Sequence, residues 1–168
     1  ELIKRGVKLV DFANGYKYFG FHRTETGWVY REWAPAAEEM YLTGDFNGWN
    51  TTNCPMTRLE NGVFEVYLDG EDALIPGQKV QAIASHNGPT LRRIPLYATR
   101  VVQDKETYLW CAEVEDVLEE FPWTDSEFVP EKTPFIYECH IGMAQERVDV
   151  GTYREFRENI LPRIKELG

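Results

Sequence analysis

The 168 residues, 43% hydrophobic and 14% aromatic, are enough for one packed domain and a piece of another. Eighteen lysines and arginines against 28 acidic residues leave a net charge of −10, which argues against nucleic acid and anionic membrane as partners. No stretch approaches the roughly 18 to 20 apolar residues that span a bilayer, and the opening Glu1-Leu2-Ile3-Lys4-Arg5 lacks the apolar centre of a signal peptide.

Cys54, Cys111 and Cys139 are odd in number and widely spaced, which fits neither a disulfide framework nor a metal site; reduced thiols in a cytoplasmic protein are expected. After an extension over residues 1–15, the stretch 16–114 is β-like, with short apolar runs broken by turn residues about every ten positions. Strands are expected near Tyr18–His22, Trp28–Ala34, Glu39–Gly44, Val63–Leu68, Lys79–His86, Thr90–Ile94, Val101–Gln103 and Tyr108–Val114. Asn87-Gly88 marks a hairpin, because a type I′ turn needs positive φ at both central residues. Strands in this number without helical periodicity predict a mainly β protein built on an immunoglobulin-like antiparallel β-sandwich.

Residues 115–134 lose the strand pattern, carry Pro122, Pro130 and Pro134, and read as a connector. Phe135–Ile141 then resembles a buried strand of a parallel sheet. A helix follows. Thr152-Tyr153-Arg154-Glu155 is a capping box, and Tyr153, Phe156, Ile160, Ile164 and Leu167 recur on one face. Pro162 predicts a kink or two short helices across Ile160–Arg163. One strand and one helix cannot close a sheet, so residues 135–168 are expected to be the first βα unit of a truncated (β/α)8 barrel, a fold of about 250 residues.

Among side chains that could carry chemistry, Trp49 leads. It closes the run Tyr41-Leu42-Thr43-Gly44-Asp45-Phe46-Asn47-Gly48-Trp49-Asn50, a strand opening straight into a turn. An indole there either stacks on the apolar face of a sugar ring or lids the sandwich core. Asn47 and Asn50 either donate to sugar hydroxyls or serve the turn. Lys79, Gln81 and Arg92 lie in the strands flanking Asn87-Gly88, where they either border a bound glucan or form a solvated face. Trp28, Tyr30 and Trp33 are expected to be mostly core, with Trp33 on the face opposite the other two. Glu138 and Glu155 do not form a carboxylate pair for glycoside hydrolysis, because Glu155 is committed to the cap. Neither a catalytic residue nor a metal ligand set is legible in this chain.

These residues resemble the N-terminal region of glycogen and starch branching enzymes. Glu32-Trp33-Ala34-Pro35-Ala36-Ala37 followed by Tyr41 to Trp49 is similar to the sandwich of carbohydrate-binding module family 48. Arg93-Ile94-Pro95, Ile136-Tyr137-Glu138-Cys139-His140-Ile141-Gly142 and Thr152-Tyr153-Arg154-Glu155-Phe156 through Lys165 resemble the junction and first βα unit of such enzymes. The resemblance implies a retaining transglycosylase of glycoside hydrolase family 13. It would cut α-1,4-glucan and pass the segment to a 6-hydroxyl, needing neither metal nor organic cofactor. The catalytic carboxylates of that family lie on later barrel strands, so this stretch is expected to be inactive alone. The implied partners are α-glucan (glycogen, amylose, maltooligosaccharides) and the C-terminal catalytic barrel of the same chain. A stand-alone glucan-binding module and a debranching hydrolase are the alternatives. Related modules in glycogen-sensing kinase subunits stack glucan between two tryptophans. Here Trp49 matches one, the turn for the second reads His86-Asn87-Gly88-Pro89-Thr90, and Gln81 stands where a lysine is usual. The missing platform would weaken binding by on the order of 1 kcal/mol.

Overall fold

Alternation at a period of two gives most of these strands one inward face, and the inward faces are apolar. The computed structural model describes residues 8, 12–116 and 122–168. Most of the extension expected over 1–15 and part of the connector expected over 115–134 lie outside the described residues. Among the described residues nine strands form: β1 (Gly20–Arg23), β2 (Gly27–Trp33), β3 (Glu39–Gly44), β4 (Thr57–Arg58), β5 (Val63–Asp69), β6 (Lys79–Ser85), β7 (Thr90–Arg93), β8 (Val101–Gln103) and β9 (Trp110–Glu113). One sheet runs β1-β2-β5-β4; the other runs β3-β6-β9-β8, with β7 added against β6. All these pairings are antiparallel.

The core lies between the sheets. Trp28 and Tyr30 of β2 and Phe64 of β5 face Met40 and Leu42 of β3 and Val80 and Ala82 of β6, all buried. Trp33, expected in the core, is 52% exposed. It sits on the outward register of β2, opposite in sense to Trp28 and Tyr30, and its indole N–H donates to the Asn61 carbonyl at 3.0 Å. Glu32 shares the inward register of Trp28 and Tyr30 and is fully buried. Its carboxylate accepts from the Tyr30 hydroxyl and from the Leu96 amide, and Arg93 Nε lies 2.8 Å from Oε1. Burial pushes the Glu32 carboxyl up, against the pull of those partners. The Asn87-Gly88 hairpin forms with φ of 51° and 98° at its two central residues, joining β6 to β7.

The chain divides into two units, Glu1–Glu120 and Phe121–Gly168. In the second unit the strand expected over Phe135–Ile141 does not form, and Phe135 and Ile136 are fully or largely exposed. A strand of a parallel sheet gets its hydrogen bonds from neighbours, and Phe135–Ile141 has none among the described residues. The helix does form, because its start is local: Thr152 Oγ1 accepts from the Glu155 amide, and Glu155 Oε2 accepts from the Thr152 amide at 2.8 Å. The expected distortion is present one turn earlier than Pro162. Phe156–Ile160 is a π-turn, closed by the Leu161 amide donating to the Phe156 carbonyl, and Leu161–Leu167 resumes as α-helix with the proline in its first turn. The widened turn absorbs the clash that a proline makes with the carbonyl four residues back.

Candidate functional site

The Gly44–Asn50 turn is built by its own polar side chains. Asn47 Oδ1 accepts from the Gly44 amide at 3.0 Å, while its Nδ2 faces the Leu42 and Asn50 carbonyls and Asn53 Oδ1. Asn50 Oδ1 accepts from the Thr52 and Asn53 amides, both at 3.0 Å. Both asparagines, expected as possible sugar donors, therefore hold the loop. These bonds let the backbone turn left-handed at two successive residues, Gly48 (φ 63°) and Trp49 (φ 61°). Glycine takes that conformation freely, whereas a bulky residue is strained by on the order of 1 kcal/mol or more. Trp49 is kept there by its backbone N–H, which donates to the Gly44 carbonyl at 2.8 Å, and by its indole N–H, which donates to Asp45 Oδ1 at 2.9 Å. Asp45 in turn accepts the Lys79 amide on Oδ2 at 2.7 Å, which ties the indole to the start of β6.

The half-buried Trp49 ring forms one wall of a cleft of about 530 Å³ on the outward face of the five-stranded sheet. Lys79 and Gln81, alternate residues of β6, and Arg92 of β7 also line it. Gln81 is buried, with its amide nitrogen donating to the Trp110 carbonyl at 2.9 Å and its Oε1 accepting from Arg92 at 3.0 Å. The opposite wall is the β8–β9 loop, which contributes Asp104, Thr107 and Leu109. That loop is shaped by Asp104, whose Oδ1 accepts from the Glu106 and Thr107 amides and the Thr107 hydroxyl. Its other oxygen pairs with Lys79 Nζ at 2.6 Å. This ion pair, with the loop amides, holds the Asp104 carboxyl well below the usual carboxylate range, and the same contact raises the Lys79 amine. Cys111 closes the floor, its thiol pushed up by burial.

Four of the six expected site residues, Trp49, Lys79, Gln81 and Arg92, thus share one cleft, and Asn47 and Asn50 stand behind it. The far wall at Asp104–Leu109 is absent from the expectation; the one hint in the sequence is Asp104-x-x-Thr107 after a short strand, an Asx-turn pattern. A larger hollow of about 720 Å³ at the sandwich edge is lined by Trp33, Leu91 and Leu96 with few polar groups, and it lacks the mix of ring face and donors that the Trp49 cleft offers. Among the described residues no cluster could hold a metal ion, and no helix is long and apolar enough to cross a membrane.

Residues 18–98 match the family model for carbohydrate-binding module 48, the isoamylase N-terminal domain. Most of the sandwich is therefore similar to that family. Across nearly its whole length the chain is also similar to proteins named 1,4-alpha-glucan-branching enzyme. It is 40% identical to that of Yarrowia lipolytica over 95% of this chain and 24% of the relative. Against that of Emericella nidulans it is 40% identical over 100% of this chain and 27% of the relative. The Dictyostelium discoideum protein shares 36% over 95% and 24%. The chain therefore spans about a quarter of the length of the curated relatives it matches. Among solved structures, pullulanase type I from Bacillus subtilis str. 168 aligns over 68% of this chain and 14% of its own at 24% identity and a TM-score of 0.49. The two-sheet topology stands independently of that likeness.

Proposed function

We propose that the chain is part of a 1,4-alpha-glucan branching enzyme and that its family 48 sandwich binds α-glucan in the Trp49 cleft. The observation that carries the binding reading is the indole itself. A tryptophan strained into a left-handed backbone, pinned through Asp45 to β6 and half-buried beside a row of donors, suits stacking on a sugar face. A core lid would not need the strain, and Trp49 is not among the side chains packed against the sandwich core. Lys79, Gln81 and Arg92 supply donors beside it, and Leu109 offers an apolar contact across the cleft.

The transfer chemistry, cleavage of an α-1,4 bond and delivery to a 6-hydroxyl, would reside outside these 168 residues, as would its catalytic carboxylates. Phe135–Leu167 would enter the catalytic barrel as its first βα unit, with Phe135–Ile141 becoming a strand once neighbours flank it. Similarity along nearly all of this chain to proteins named as branching enzymes supports this over a debranching hydrolase. Three free thiols suit a reducing cytoplasm.

Retardation on a native gel containing glycogen tests the binding reading. Trp49→Ala is expected to weaken binding by roughly three- to tenfold, the stacking share of an aromatic contact. Unchanged retardation with an intact circular dichroism spectrum would remove Trp49 from the site.

A further inference from the structure

A second hollow of about 530 Å³ adjoins the Trp49 cleft, and Arg92 lines both. It continues along the outward register of the same sheet, over Tyr41 of β3, Ile83 of β6 and Thr90 of β7; Tyr41 and Arg92 both pair with Ile83 across the strands. Its lining carries two carboxylates and one guanidinium, each hydrogen-bonded within the protein. The Glu39 carboxylate accepts from the Tyr41 hydroxyl at 3.0 Å, the Glu38 carboxylate accepts the Asn87 amide at 3.1 Å, and Arg92 donates to Gln81. What remains on offer is the Tyr41 ring and the hydroxyls of Thr51, Ser85 and Thr90, which have no partner among the described residues. An apolar ring beside unspent hydroxyls matches an uncharged polyol better than a phosphate or a charged peptide.

We propose that this hollow is a second glucan subsite, with Tyr41 as its platform, so that one linear α-glucan chain crosses the sheet from Trp49 past Arg92 to Tyr41. The proposal rests on the Trp49 cleft being a glucan site. The path follows β6 from Lys79 to Ser85, six residue steps or about 20 Å. It also accounts for a feature of the β6–β7 hairpin. With Asn87-Gly88-Pro89 at the tip and no aromatic there, the hairpin leaves the rim open, and the stacking surface that continues the path sits one strand over, on β3.

Chain length discriminates. Maltotriose fills the Trp49 cleft alone, whereas maltoheptaose reaches both hollows. In titrations of the 168-residue chain followed by amide chemical shifts, maltoheptaose is expected to bind at least tenfold more tightly than maltotriose. It should move Thr52, Ile83 and Thr90 in addition to Gly48 and Trp49. Tyr41→Ala should erase that gain and leave maltotriose affinity unchanged, while Tyr41→Phe should retain it. Equal affinities, with shifts confined to the Trp49 turn, would overturn the second subsite and leave the first standing. Silence from both sugars would overturn both. Because the shift map is read on the unaltered chain, it separates these outcomes even if Tyr41→Ala does not fold.

Discussion

The sandwich and the 122–168 region contain similar apolar sequence, yet one buries it and the other displays it. Phe64 of β5 is 1% exposed, and Ile136, in an equally strand-like run, is 88% exposed. The difference is where each element's partners lie. The pairing residues of β2, β3, β5 and β6 with one another are all within residues 27–85, whereas Phe135–His140 pairs with no strand among the described residues. In the second region only the features satisfied within a few residues take shape: the Thr152 cap, the helix, and the 142–151 loop closed by the Gly151 amide on the Gly142 carbonyl at 2.8 Å. Apolar pattern specifies what an element will bury, and topology decides whether the chain at hand can bury it.

The sharpest way to break that contrast is to truncate one side chain in each region. Phe64→Ala should destabilise the sandwich by about 3–5 kcal/mol through lost transfer energy and a cavity. Ile136→Ala in this chain should stay within about 0.5 kcal/mol of the parent, as for a surface position. Urea midpoints at fixed m-value measure both. A comparable loss from Ile136→Ala would mean that the run is packed in solution.

A somewhat smaller effect concerns a carboxylate that the sandwich buries. Arg93→Met would strip Glu32 of its counter-ion and should cost about 3 kcal/mol at neutral pH. Glu32 is raised above its ordinary value in the folded protein, so the folded state binds its proton more tightly than the unfolded chain does. Stability on this account is therefore highest in acid, and falls as pH rises from the unfolded value through the folded one. Without Arg93 that penalty grows. The gap between variant and parent should accordingly narrow as the pH is lowered from 7 towards 5. A gap independent of pH would trace the loss to Arg93 packing and not to the stranded carboxylate.

Glu32 also marks where the sequence stops being legible. Each expected strand of the sandwich forms within a few residues of its expected bounds, because a period-two pattern survives in any antiparallel context. β4 is missed since two exposed residues carry no period, and Tyr108 leaves β9 because its backbone is left-handed (φ 58°) in a loop closed by the Asp104 amide on the Leu109 carbonyl. Of the cleft, Lys79, Gln81 and Arg92 are readable as alternate outward residues of a hairpin. The Asp104 wall is not, since it meets Lys79 from 25 positions away along the chain. Asn47 and Asn50 are readable as turn residues, and the turn engages Asn47 through both polar side-chain atoms and Asn50 through its Oδ1. A carboxylate facing inward, as Glu32 does, has no signal in a hydrophobic pattern at all. Only the fold supplies the Tyr30 hydroxyl, the Leu96 amide and Arg93 that make it tolerable.

The smallest effect probes whether the locally specified helix is energetically its own. Thr152→Ala removes the hydroxyl that accepts the Glu155 amide at 3.2 Å, and should weaken the Tyr153–Leu167 helix by about 1 kcal/mol. By native-state hydrogen exchange that is about a fivefold loss of protection for amides of 156–167, with the amides of β2 and β5 unchanged. Thr152→Ser should keep the protection, because the capping oxygen remains. If the β5 amides accelerate by the same factor as the helix, the two regions open as one cooperative unit. Local satisfaction would then not be what distinguishes the helix from the sandwich.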